Sequence, residues 1–175
     1  EAVTASDGAT LVLAGPGSGK TRVLTQRIVY LIREKSVRPY EIMAVTFTNK
    51  AAREMQDRVE DLLELQLKGT MWLGTFHAIC GRILRREAEY LPFDHNFVIM
   101  DSDDQQSLIK RVIRDLNLND KTFRPGSVQG EISKAKNNLQ FPADFVRSNY
   151  REETIFRIYE QYQLLLQKSN AVDFD

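Results

Sequence analysis

Apolar residues along the chain follow two different rhythms. Leu11-Val12-Leu13, Ile42-Met43-Ala44-Val45-Thr46-Phe47 and Met71-Trp72-Leu73-Gly74-Thr75 are short, nearly continuous runs. Runs of that density read as strands covered on both faces, as in parallel sheets. Between them the spacing turns helical. Leu24, Ile28, Leu31 and Ile32 make one stripe, and Ala52, Met55, Val59, Leu62 and Leu63 make a second. Ser36-Val37-Arg38-Pro39 breaks the first helix, and Gly69 ends the second. Thr48 and Asn49 are good N-caps for that second helix. A third helix is expected from about Phe76 to Tyr90, stopped by Leu91-Pro92. Alternating strands and helices predict a parallel sheet of right-handed βαβ units, an α/β fold with helices on both faces. The opening Glu1-Ala2-Val3-Thr4-Ala5 reads as the middle of a helix.

Beyond Tyr90 the texture changes. Phe97-Val98-Ile99-Met100 predicts one more short strand. Asp101-Ser102-Asp103 caps a helix with Leu108, Ile109, Val112, Ile113 and Leu116 on one face. Asn117 to Pro125 is polar and turn-like. Val128, Ile132 and Ala135 predict another helix, and Phe141-Pro142 starts a short one. Ile155, Ile158, Tyr159, Tyr162, Leu165 and Leu166 mark a last long helix. The expected organisation is an α/β domain over residues 1–80, an all-helical inserted subdomain over 81–153, and a return to the first domain over 154–175. Both ends read as cut from a longer chain.

The stretch with the most chemistry is Ala14-Gly15-Pro16-Gly17-Ser18-Gly19-Lys20-Thr21, between the first predicted strand and the first predicted helix. That order of strand, glycine-rich loop and helix is a P-loop (the Walker A motif). Glycines let the backbone curl so that several N–H groups converge on a phosphate. The helix opening at Lys20 aims its positive dipole end at the same point. Lys20 is expected to reach the β- and γ-phosphates of a nucleoside triphosphate, and the Thr21 hydroxyl to ligate Mg²⁺. Ala14 stands where the motif usually begins with glycine, a small residue that keeps close packing.

Net charge changes this picture little. Lys plus Arg and Asp plus Glu both number 24 among 175 residues, so any case for nucleic-acid binding rests on local placement. The single cysteine, Cys80, excludes an internal disulfide. No apolar run approaches the length that spans a bilayer, so a cytoplasmic location is the expectation and no membrane partner is anticipated.

Two further stretches narrow the reading. Ala44 to Met55 contains Thr46-Phe47-Thr48-Asn49-Lys50-Ala51-Ala52-Arg53-Glu54-Met55, and Leu73-Gly74-Thr75-Phe76-His77-Ala78 closes the third run. Both fall at carboxyl ends of predicted strands, where open α/β sheets bind ligands. With the P-loop they resemble, in order and spacing, the first three motifs of the superfamily 1 DNA helicases of the UvrD/Rep/PcrA type. The closing Asn170-Ala171-Val172-Asp173-Phe174-Asp175 resembles a segment that lies shortly before that family's magnesium-binding DExx motif. The resemblance implies a RecA-like first motor domain with a helical insertion. It further implies coupling of ATP hydrolysis to 3′-to-5′ movement on single-stranded DNA and unwinding at single-strand/duplex junctions, in repair or replication. It assigns Phe47 to base stacking, Thr48, Asn49 and Lys50 to a phosphate-binding helix start, and Thr75, Phe76 and His77 to a second DNA-contacting stretch. Arg22 matches an arginine that packs on adenine. The glutamine that reads adenine and the DExx carboxylates fall outside these residues, so nucleotide binding without hydrolysis is expected of the chain by itself.

Each assignment has a plainer alternative: Phe47 as a core residue, Thr48 and Asn49 as caps, Lys50 and Arg22 as solvated cations, His77 as a structural histidine. Arg82, Arg85 and Arg86, and likewise Lys110, Arg111 and Arg114, share helix faces. They read as solvated faces before phosphate contacts. Asp101, Asp103 and Asp104 read as capping, and His77 with Cys80 is too small a set for zinc. A pure DNA- or nucleotide-binding module is the competing class.

Overall fold

The computed structural model describes residues 1–6, 8–15, 17–67, 69–144 and 148–175. It divides into two compact units, Glu1–Ile83 and Leu84–Asp175. In the first, α1 (Lys20–Arg33) is followed by β1 (Met43–Thr46), α2 (Asn49–Leu63), β2 (Trp72–Thr75) and α3 (Phe76–Arg86), inside which the division falls. β1 and β2 pair in parallel with Met43 opposite Trp72 and Thr46 opposite Thr75. Ile28 and Val29 of α1 pack with Met55, Val59 and Leu63 of α2, and Ile42, Leu67 and Met71 complete that core.

The apolar stripes hold with local shifts. On α1 the buried positions are Thr25, Ile28 and Val29, while Leu24 is exposed. Thr25 tolerates burial because its hydroxyl donates to the Arg22 carbonyl at 2.9 Å, one turn back. α2 buries Ala52, Met55, Val59 and Leu63 and leaves Leu62 partly open. It ends at Leu63 rather than at Gly69, with Glu64 taking the left-handed conformation at φ 56°.

Two expectations are corrected here. Leu11-Val12-Leu13 forms no strand, and Leu11 and Leu13 are 82% and 85% exposed. The βαβ unit expected between this run and β1 is therefore absent among the described residues. A three-residue strand gains few ladder bonds, and it needs a neighbour to supply them and layers to cover its side chains. Neither stands over this run. Glu1–Ala5 is likewise not helical; Val3-Thr4 is a turn. So short a segment cannot nucleate a helix alone, and Arg27 draws the Val3 and Ala5 carbonyls onto its guanidinium at 2.8 and 2.7 Å.

The second unit is built from β3 (Val98–Ile99), α4 (Ser102–Asp115), α5 (Pro125–Asn137), α6 (Tyr150–Lys168) and β4 (Ala171–Val172). Its core joins Ile109, Val112 and Ile113 of α4 with Val128, Ile132 and Ala135 of α5 and Ile155, Ile158, Tyr159, Tyr162 and Leu166 of α6. The sequence division placed 154–175 with the first domain. In the structure α6 and β4 lie in the second unit, because the apolar face of α6 is filled by α4 and α5. β4 pairs with β3 in parallel. Asp101 caps α4 through the Asp103 and Asp104 amides at 2.9 Å each, so these acids are capping groups.

One polar cluster sits inside this core. Asp173, 4% exposed at the side chain, accepts from the Lys136 ammonium and from the Tyr162 hydroxyl at 2.8 Å. Burial, and then the Asp173 carboxylate, hold the Tyr162 phenol far above its ordinary 10.0. Two predictions follow from this cluster. Lys136→Met strands a buried carboxylate and should lower unfolding free energy by about 3–5 kcal/mol in a denaturant titration. The raised phenol contributes stability below its unfolded value of 10.0, which is lost as pH rises beyond it. Melting temperature should therefore fall above that pH, and fall less steeply in Tyr162→Phe.

Candidate functional site

The P-loop residues from Ala14 to Thr21 are exposed, apart from Pro16, which lies outside the described residues. Gly17 at φ 74° and Gly19 at φ 84° take the left-handed conformation that glycine adopts without strain. Gly19 is the N-cap of α1 and has no side chain with which to block the helix start. The Ser18 hydroxyl donates to the Gly15 carbonyl at 2.6 Å, tightening the turn. Lys20 folds back over the loop and donates to the Ala14 and Gly15 carbonyls at 2.8 and 2.7 Å. The loop thus presents a cation and helix-terminal amides together, the donor set that phosphates select. Thr21, exposed in the first turn of α1, offers one hard hydroxyl oxygen. That suits Mg²⁺, which takes few protein ligands and fills its other positions with phosphate oxygens and water. Arg22 is exposed beside it.

A second arrangement forms where β1 and β2 end. Thr46 and Thr75 are register partners, so the two strands stop flush and the next residue on each is an aromatic. Phe47 and Phe76 stand side by side with ring centroids 6.1 Å apart and planes at 49°. Phe47 is 93% exposed and Phe76 55%. The core alternative for Phe47 is thereby excluded. Position alone would let Phe47, just before the N-cap of α2, staple onto Ala52; instead Ala52 is buried and Phe47 stays open.

The turn that turns Phe47 outward is well braced. The Thr46 hydroxyl donates to the Thr48 carbonyl at 3.0 Å, and Thr48 caps α2 by accepting from the Ala51 amide at 3.1 Å. Thr75 repeats the cap on α3, accepting from the Ala78 amide at 3.3 Å. Asn49, Lys50 and His77 lie exposed in the first turns that follow. The structure thus brings Phe47, Thr48, Asn49, Lys50, Thr75, Phe76 and His77 to one strand-end edge.

The helix starts of the first unit differ in charge from those of α4 and α6, while α5 also opens without an acid. None of α1, α2 or α3 carries an acid in its first turn. In the second unit α4 opens with Asp103 and Asp104 and α6 with Glu152 and Glu153. An acid there offsets the positive end of the helix dipole; a cation such as Lys20 or Lys50 adds to it, at about 0.3–1 kcal/mol. The first unit's helix starts therefore remain electropositive, while α4 and α6 are neutralised internally. Neither the pairing of Phe47 with Phe76 nor this contrast was read from the sequence. The first needed the strand register. The second was available in the positions of the acids.

The basic faces resolve differently. Arg82 stacks on Trp72, 4.2 Å from the ring centroid, and donates to the Gly69 and Met71 carbonyls. Arg85 lies 4.5 Å over Phe97, and Arg86 pairs with Glu87 at 3.4 Å. Arg111 pairs with Asp115 at 3.6 Å; Lys110 and Arg114 stay exposed. Among the described residues no group of three or more His, Cys, Asp and Glu gathers as a metal site, and no helix is long and apolar enough to cross a membrane.

Because Phe47 contributes almost no buried area, Phe47→Ala should leave unfolding free energy within about 0.5 kcal/mol of the parent. Thr48→Ala removes a cap and should cost about 1 kcal/mol. Chemical denaturation of both variants checks the contrast.

Comparison with known proteins bears on the same residues. The family model described as "UvrD/REP helicase N-terminal domain" matches residues 1–175. The ATP-dependent DNA helicases PcrA of Staphylococcus aureus and Bacillus subtilis are 47% and 48% identical over the whole chain, and that of Leuconostoc citreum 46%. The chain spans 24% of the length of each. The chain belongs to the UvrD/REP helicase N-terminal domain family.

Proposed function

We propose that this chain is the nucleotide-binding, DNA-gripping part of an ATP-dependent DNA helicase. In this reading residues 14–22 hold ATP, and the Phe47–Phe76 edge holds single-stranded DNA. The observation that carries it is the flush strand pair, which sets two adjacent aromatics in solvent beside helix starts free of acids. Stacking on such a shelf tolerates any base and is worth about 1–3 kcal/mol per base. Exposed first-turn amides with Lys50 suit the phosphates between bases.

At the P-loop, Lys20 exchanges its two carbonyl contacts for phosphate oxygens, and the Gly17–Gly19 turn directs amides at the same group. Thr21 would hold Mg²⁺, which when bound neutralises charge on the phosphates. Arg22 would pack on the base. Hydrolysis also requires a carboxylate that positions water and further cations at the γ-phosphate. We place these outside the 175 residues, so the chain by itself binds ATP and hydrolyses it negligibly. In the longer protein, closure of two motor domains around ATP would drive 3′-to-5′ steps along single-stranded DNA and part the duplex at a junction, in repair or replication, in the cytoplasm. The second unit would be the helical insertion.

The test is a titration of labelled single-stranded DNA and of a fluorescent ATP analogue with Mg²⁺. Phe47→Ala should weaken DNA binding roughly 5- to 150-fold with nucleotide binding intact. Lys20→Ala should do the reverse. A variant that weakens both ligands equally, or neither, would refute the two-site assignment.

A further inference from the structure

α2 carries its charges against its own dipole. Lys50 and Arg53 stand near its start, and Asp57, Glu60, Asp61 and Glu64 follow towards its end. Its first turn holds no acid and its last turn no base. Isolated helices favour the opposite order in the first turn, so the helix dipole does not account for Lys50 at this start. Arg53 is exposed, and among the described residues it has no carboxylate within ion-pair distance, although Asp57 lies one turn on. Arg58 on the same helix does pair, with Glu54 at 3.8 Å.

Helical geometry says where Arg53 points. At 3.6 residues per turn it lies about 40° around the axis from Asn49 and about 60° from Lys50, between the two and one turn above them. The Cα–Cβ bond tilts towards the helix start, so the guanidinium reaches back along the flank that Asn49 and Lys50 open. The buried face of α2, through Ala52, Met55, Val59 and Leu63, is about 100° away from Arg53 at Ala52.

We infer that Arg53 is a further DNA-contacting residue, binding the phosphate next along the strand from the one at Asn49 and Lys50. This rests on the single-strand reading of the Phe47–Phe76 edge and extends that site by one helical turn. A planar guanidinium suits a phosphate in this place because two of its N–H groups meet two oxygens at once.

The experiment is the salt dependence of single-stranded DNA binding, read as the slope of log affinity against log salt. Each phosphate neutralised contributes about 0.7 to that slope. Arg53→Gln should reduce it by about 0.7 and weaken binding roughly two- to fivefold. Its melting temperature should be unchanged, and Arg53→Lys should restore the slope. Phe47→Ala should weaken binding with the slope intact, and Arg58→Gln should alter neither. A slope unchanged in Arg53→Gln, while Phe47→Ala still weakens binding, overturns the inference and leaves the single-strand reading of the edge standing. A lowered melting temperature with an unchanged slope also overturns it, making Arg53 structural. No binding by the unmodified chain at low salt, or equal binding by Phe47→Ala, overturns the single-strand reading and this inference with it.

Discussion

In-register parallel pairing is the constraint on which the first unit depends. Met43–Thr46 and Trp72–Thr75 end opposite one another; β1 passes through the Phe47–Thr48 bend into α2, and β2 runs straight into α3. Had the register slipped by one residue, the side chains of one strand would exchange faces and the aromatics would no longer stand abreast. Two threonine caps then hold the helix starts, Thr48 on α2 and Thr75 on α3. The candidate DNA edge is therefore set by the strand ladder and by threonine hydroxyls that cap the two helices. Its placement comes from regular secondary structure, which suits a site that holds its groups at fixed spacing.

The second unit pairs part of its charge internally. α4 and α6 open with acids, and Lys136, Asp173 and Tyr162 close on each other inside the core. A buried ion pair is a poor source of net stability compared with apolar packing, but it penalises every arrangement that leaves either charge alone. Here it fixes the stretch after β4, whose two-residue pairing with β3 is too short to hold a register unaided. Ser133 adds a hydrogen bond to Asp175 on the same stretch.

Much of this was legible in the sequence because period reports burial. The stripes of α2, α4 and α6 and the runs of β1 and β2 were read almost to their ends. The failures share one cause: a period reports which residues are apolar, and not what lies against them. Leu11-Val12-Leu13 and the β1 run look alike as strings, yet only β1 has a partner strand. Phe47 continues the β1 run in composition and leaves it in space, because the Thr46–Thr48 hydrogen bond turns the chain first. Thr25 reads as polar surface and is buried, since a helical hydroxyl can satisfy itself on its own backbone. Ala171–Val172 has no readable period at two residues. The P-loop and the edge residues were legible for the opposite reason. Their residue types match the phosphate and base chemistry proposed for them rather than a packing role.

The strongest functional signal is thus where local rules are broken together. A protein that optimised stability alone would staple Phe47 onto its helix, put acids at the start of α2, and cover Leu11 and Leu13. Each departure is small beside the total stability of a domain, and any one of them would be unremarkable on a surface that is largely apolar anyway. Those at Phe47 and Lys50 fall within four residues of one another, at a turn braced by the Thr46 and Thr48 hydroxyls. Loose packing would leave such a turn without those braces. A braced turn that holds out an aromatic ring and a cation is better explained by a ligand that both can meet, and a single-stranded nucleic acid offers a π-face and a phosphate at every step.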